Sequence, residues 1–112
     1  MTSTRQHKVG RLLQKELGDY FQKKGAGLSG GKMVSVTEVR ISPDLGIAKV
    51  YLSFFPAGDN DSLIERVREH APSVRREMGS RLRNQLRHIP DFSFFVDDTL
   101  DTLERIDELL KN

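Results

Sequence analysis

Residues Leu63 to Phe95 read LIERVREHAPSVRREMGSRLRNQLRHIPDFSFF, two helical patterns that meet at Pro72 and run on into an aromatic strand. Val74, Met78, Leu82 and Leu86 recur every four residues, and at about 100° per residue they stay within one apolar sector of a helix. Arg76, Arg83 and Arg87 fall on roughly the opposite side of that wheel. A helix closed by Ile89 and Pro90 would therefore bury one edge and present three guanidinium groups as a rail. Arg75 and Gly79 project near the margin of the apolar sector. Gly79 is expected to permit a close backbone approach, at a helix cost of about 1 kcal/mol. Arg75 is expected to lay its stem on the core and lift its head to water. Ahead of Pro72, Asp59 to Ser62 supply caps for a helix carrying Leu63, Ile64, Val67 and Ala71. Proline disfavours helical geometry in the residue before it and suits a first helical turn, so the kink is expected over His70 to Ser73, with Ala71, Pro72 and Ser73 at its centre.

Downstream, Phe92, Phe94 and Val96 alternate with Ser93 and Phe95 as a strand, and Thr99 can cap a short acidic helix with the seam Leu103, Ile106, Leu110. Upstream, from Gly46 to Phe55, Ala48, Val50, Leu52 and Phe54 alternate with Lys49, Tyr51 and Ser53, so the first set should face the helices and the second should face outward. Ser42 to Gly46 form a turn before it, in which Asp44 can bond its own backbone. Met33 to Ile41 read as a further strand, antiparallel in a hairpin. Val34 and Val36 are out of phase there with Val39 and Ile41, which predicts either two covered faces or a bulge. At the start of the chain, Val9, Leu13 and Leu17, widened by Leu12, Tyr20 and Phe21, predict a helix over about residues 4 to 22. It should stop near Lys23 to Gly25, leaving GAGLSGG as a flexible connector. Lys8, Arg11 and Lys15 lie on its polar side, a second cationic rail that extends the first if the two faces align. The order is αββααβ and a terminal helix.

With 112 residues, 37% of them hydrophobic and 30% charged, the chain should fold as one domain over 1–112 with an ordered core of about 5–110. No apolar run approaches the roughly 20 residues of a membrane span, and the N-terminus lacks the apolar segment of a secretory signal. Cysteine is absent, so a reducing cytoplasm is the expected setting. The net charge of +2 is unevenly spread: Glu65 to Arg87 holds seven arginines against three glutamates, and Asp97 to Glu108 six carboxylates against one arginine. A local arginine cluster suits phosphate recognition, because each guanidinium bonds two oxygens in a plane. The alternative is an ordinary solvated helix face.

Other chemistries find less support. His7, His70 and His88 sit in different elements without the paired spacing of a metal site, so no metal and no cofactor is assigned. Asp97 and Asp98 resemble an acid–base or magnesium pair only on paper, since neighbours at a strand end point apart; a helix entry is the better reading. Phe92 and Phe94 belong to the core, whereas Phe95, on the opposite phase and shared with Tyr51, is the better candidate to stack on a base. No residue is assigned a catalytic role.

Two segments carry a family resemblance. Val39-Arg40-Ile41-Ser42-Pro43-Asp44-Leu45-Gly46-Ile47-Ala48-Lys49-Val50-Tyr51, followed by Leu86-Arg87-His88-Ile89-Pro90-Asp91-Phe92-Ser93-Phe94-Phe95-Val96-Asp97, resembles the bacterial ribosome-binding factor A family, over most of residues 5 to 110. The resemblance implies an α+β, KH-like domain of type II, with a helix-kink-helix packed on a three-stranded mixed sheet. It also implies a cytoplasmic, non-enzymatic assembly factor that binds the free small (30S) ribosomal subunit and 16S rRNA. Such a factor assists late maturation and rRNA processing, notably in the cold. On that reading Arg76, Arg83 and Arg87, with Lys8, Arg11, Lys15 and Arg81, contact RNA. The chain is expected to be a monomer, with an assembly GTPase as a further candidate partner. The competing classes are a protein-interaction module and an RNA-processing nuclease. An ordinary KH domain clamps RNA with a GxxG loop between its paired helices, and His70-Ala71-Pro72-Ser73 stands there instead. The family often carries Ala-x-Gly at this kink, and here Ser73 replaces the glycine. The string Gly27-Leu28-Ser29-Gly30 lies ahead of the first strand, where a hinge is the expected role.

Overall fold

A computed structural model describes residues 3–56 and 58–97. Ser3 starts the first helix, α1 (Thr4–Leu28), with a reciprocal cap: its hydroxyl accepts from the Gln6 amide at 3.1 Å, and its own amide donates to Gln6 Oε1 at 2.8 Å. The buried row Val9, Leu13, Leu17, Tyr20 and Phe21 is the one its spacing predicts. The stop near Gly25 is not observed. The helix continues because Gly25 is wanted for its missing side chain: a Cβ there would sit 2.9 Å from Val34 Cβ, so the backbone passes closer to the sheet than any other residue allows. The end comes at Ser29, whose amide still donates to the Gly25 carbonyl at 2.9 Å. The actual connector is short, with Gly30 and Gly31 in left-handed backbone at φ 69° and 101°. Gly27 and Leu28 lie in the last helical turn, so the GxxG string is a helix terminus and not a free loop.

β1 (Met33–Ile41) and β2 (Ile47–Phe55) form the antiparallel hairpin, and β3 (Asp91–Val96) joins β2 in parallel, giving the order β1-β2-β3. The conflicting phase in β1 is resolved by a bulge. Val36 pairs with Leu52 and Glu38 with Tyr51, leaving Thr37 as the extra residue, so Val34, Val36, Val39 and Ile41 all pack on the core. Ala48, Val50 and Leu52 are fully buried at 0% exposure, and Phe54, Phe92 and Phe94 join them against the helices. A parallel pairing needs a long crossover, and α2 (Asn60–Glu69) with α3 (Ala71–Leu82) supplies it. His70 alone separates the two helices, and Pro72 occupies the first turn of α3, as expected of the kink. The result is an α+β fold with a three-stranded mixed sheet and one helical face.

Four details differ from the expectation. α3 ends at Leu82, with Arg83 as its cap, and Leu86 reaches the core from the following turn through a Leu86 amide to Leu82 carbonyl bond of 2.8 Å. The regular spacing of Leu86 therefore records packing rather than a continuing helix. Gly79 makes no close approach, since an added Cβ would meet Ile89 Cγ1 at an ordinary 3.9 Å. Arg75 is engaged rather than free in water: Nη2 donates to the Ile89 carbonyl at 3.0 Å and Nε lies 3.3 Å from Asp91 Oδ1, pinning the entry to β3. Asp59 holds the N-cap position of α2 at φ 58° but makes no capping bond with its side chain. The acidic helix expected over residues 99–110, and Asp98, lie outside the described residues. Among those described, no helix is long and apolar enough to cross a membrane.

Candidate nucleic-acid interface

Two sets of contacts fix how α1 lies against α3. Near its start, Arg5, Lys8, Val9 and Leu12 line an open groove of about 510 Å³ together with Leu86, Arg87, His88 and the turn residues Asp44 and Leu45. Farther on, Glu16 and Asp19 take Arg81 of α3. Rising numbers on α1 thus meet falling numbers on α3 and its extension, so the two run antiparallel.

The groove gathers three cations, Arg5, Lys8 and Arg87, around an apolar floor of Val9, Leu12, Leu86 and the buried Pro90. Its carboxylate, Asp44, is engaged locally: Oδ1 accepts from the Ser42 hydroxyl at 2.7 Å and from the Gly46 amide at 2.9 Å. Those two bonds, the hydroxyl's first, hold the Asp44 carboxyl below its ordinary value of 3.8. Arg5, Lys8 and Arg87 make no ion pair with any described residue. Their charge is available to an anion.

Arg76 and Arg83 stand seven residues apart on the outward side of α3, about 10 Å along its axis, exposed and likewise unpaired among the described residues. Arg87 does not continue their row, because it follows the helix end and turns into the groove beside Lys8. The second rail is also divided. Lys8 and Lys15 share the outward face of α1, while Arg11 lies on its other flank in a separate groove with Glu38 and Arg40. Arg5, absent from the sequence-based set, lines the same groove; its i, i+3 spacing to Lys8 was the available signal.

Arg81 is not the free cation that the sequence reading expects, because it is held within the molecule. Its guanidinium lies 2.8 Å from Asp19 Oδ2, 3.1 Å from Glu77 Oε1 and 3.5 Å from Glu16 Oε2, with its side chain only 21% exposed. Burial works against the charged guanidinium, but the bonds to Asp19 and Glu77 outweigh it and raise its pKa. Its role is to clasp α1 to α3. Among the described residues no group of three His, Cys, Asp or Glu side chains is placed to hold a metal ion. Phe92 and Phe94 are in the core as expected, and Phe95 and Tyr51 stack on each other on the outer sheet face with centroids 5.5 Å apart.

Comparison with known proteins gives a consistent result. The sequence profile described as ribosome-binding factor A matches residues 5–110. The chain is similar to the ribosome-binding factor A of Cytophaga hutchinsonii, 40% identical over 110 residues covering 98% of this chain and 83% of that protein. It is likewise similar to that of Chlorobaculum parvum, 38% identical over 111 residues covering 98% of this chain and 91% of that protein. Its fold matches the crystal structure of ribosome-binding factor A from Thermus thermophilus with a TM-score of 0.68, at 16% identity, over 81% of this chain and 94% of that one. A homology model of the Thermus thermophilus factor, fitted into an electron-microscopy map of its 30S complex, matches with a TM-score of 0.57, at 18% identity, over 77% of this chain and 92% of that one. With its helix-kink-helix on a mixed sheet and this degree of likeness over nearly its whole length, the chain belongs to the ribosome-binding factor A family.

Proposed function

We propose that this chain is a non-catalytic cytoplasmic assembly factor. It binds the free small ribosomal subunit and its 16S rRNA and assists late maturation and processing, with greatest effect in the cold. The observation that carries this reading is the groove of Arg5, Lys8 and Arg87, continued outward by Lys15, Arg76 and Arg83, with no described carboxylate neutralising these six. Guanidinium and ammonium groups spaced along an antiparallel helix pair suit the phosphates of a folded RNA backbone. The 30S complex of the Thermus relative supports the choice of partner. The chain contributes shape and charge, and no bond of the RNA is broken by it.

Co-sedimentation with purified 30S subunits tests the proposal. Binding should weaken by about 0.7 to 0.9 decade per decade of salt for each phosphate neutralised. K8E/R87E in the groove and R76E/R83E on α3 should each reduce it, and together abolish it. Their melting temperatures should stay near wild type, because these charges are exposed and unpaired. Salt-independent binding, or full binding by the fourfold variant, would remove these residues from the contact.

A further inference from the structure

The sheet face turned away from the helices carries a second set of side chains. Tyr51 on β2 and Phe95 on β3 are direct partners in the parallel register, half-buried, with ring planes 28° apart. The Arg40 guanidinium lies 5.6 Å from the Tyr51 centroid, and that of Arg68 lies 5.9 Å from the Phe95 centroid. Each is held in place: Arg40 by Glu38 at 2.9 Å, Arg68 by Glu65 at 2.6 Å and by the Phe94 carbonyl at 3.1 Å. Ser53 and Ser93, two positions along each strand on the same face, leave low ground beside the rings. Lys49, the register partner of both Arg40 and Ser93, is exposed there. The described carboxylates of this face are engaged, Glu38 with Arg40, Asp91 with Arg75 and Asp97 with the Thr37 hydroxyl. Phe55 continues the β2 row about 13 Å beyond Tyr51, and it is 67% exposed opposite Met33 at 59%.

A row of guanidinium, ring, ring and guanidinium across the strands, an exposed lysine beside it and a further exposed ring along the same strand meet the needs of a single strand: flat planes for bases and positive charge for phosphates. We propose that this outer face binds unpaired RNA. Bases lie on the outer guanidinium planes of Arg40 and Arg68, which Tyr51 and Phe95 back from behind. Lys49, exposed and outside any described ion pair, meets a phosphate, and Phe55 offers the next platform. The ligand class rests on the ribosomal reading above, but the surface is the opposite side of the molecule from the groove, so one chain can hold structured RNA by its helices and a loose strand by its sheet.

The test uses the full chain and an unstructured ten-nucleotide RNA bearing a central 2-aminopurine. Wild type should bind saturably and quench the 2-aminopurine, the signature of stacking. Y51A/F95A should lose at least about tenfold in affinity and lose the quench, since one stacked base corresponds to about 5- to 150-fold. Y51F/F95Y should retain both. K49E, an exposed change that leaves the rings packed, should also weaken binding, whereas K8E/R87E should leave it within about twofold. Absence of binding or of quenching in wild type, or unchanged binding by both Y51A/F95A and K49E, would overturn the proposal. Loss of 30S co-sedimentation with oligonucleotide binding intact would defeat the ribosomal reading alone; the reverse pattern would defeat this one alone.

Discussion

Two glycines show how one substitution reverses sign with its surroundings. At Gly79 a new methyl group meets only Ile89 at 3.9 Å, so G79A should stabilise the protein by about 1 kcal/mol through helix propensity. At Gly25 the same methyl group would press on Val34 at 2.9 Å, so G25A should destabilise by about 1 to 3 kcal/mol despite the same propensity gain. Paired urea denaturations of the two variants check both signs. Arg81 offers a residue-scale test of electrostatics. Hydrogen bonds from Arg81 and then Lys23 hold the Asp19 carboxyl below its ordinary 3.8. A group whose pKa is depressed on folding contributes stability above its unfolded value and loses that contribution as pH falls through its folded value. The clasp should therefore be intact at neutral pH and weaken only in acid, below about pH 4. Melting temperatures from pH 7 to 2.5 should fall less steeply at the acid end for D19N than for wild type. R81A should cost about 1 kcal/mol while leaving RNA binding unchanged.

At the scale of elements, the chain was legible wherever one pattern answered one physical demand. Ala48, Val50, Leu52 and Phe54 alternate because one sheet face is covered and the other is not, and their burial follows. Pro72 marks the break between α2 and α3 because its ring excludes a continuous helix. Helix ends were read less well, for two distinct reasons. Gly25 looks like a stop, yet its small size serves a contact with Val34 that local sequence does not reveal. Leu86 looks like helix because it keeps the four-residue spacing, although it packs from the turn after Leu82. That second error displaced Arg87 from the rail into the groove, and Arg81 could not be told from its neighbours until Asp19 and Glu16, more than sixty positions away, were seen beside it. The N-terminus of α1 supplies a prediction at this scale. S3A removes one half of the reciprocal cap with Gln6 and should lower stability by about 1 kcal/mol, measured by thermal melting.

For the molecule as a whole, the two proposals assign different work to the two faces. The helical side carries a cationic groove and an outward arginine pair, and the sheet side carries an aromatic pair with its own guanidinium groups. Variants confined to one side should leave the other side's binding intact, and the K8E/R87E and Y51A/F95A pairs make that separation measurable.

The parallel partnership of β2 with β3 has a kinetic corollary. The hairpin and α1 are near neighbours in sequence and can assemble early, whereas β3 must wait for the whole two-helix crossover to close a loop of some thirty-five residues between Phe55 and Asp91. Residues 86 to 90, which complete the groove, arrive with that last strand. A chain interrupted partway therefore possesses its cations but no cleft, and affinity for the partner becomes a report that maturation of the factor itself has finished.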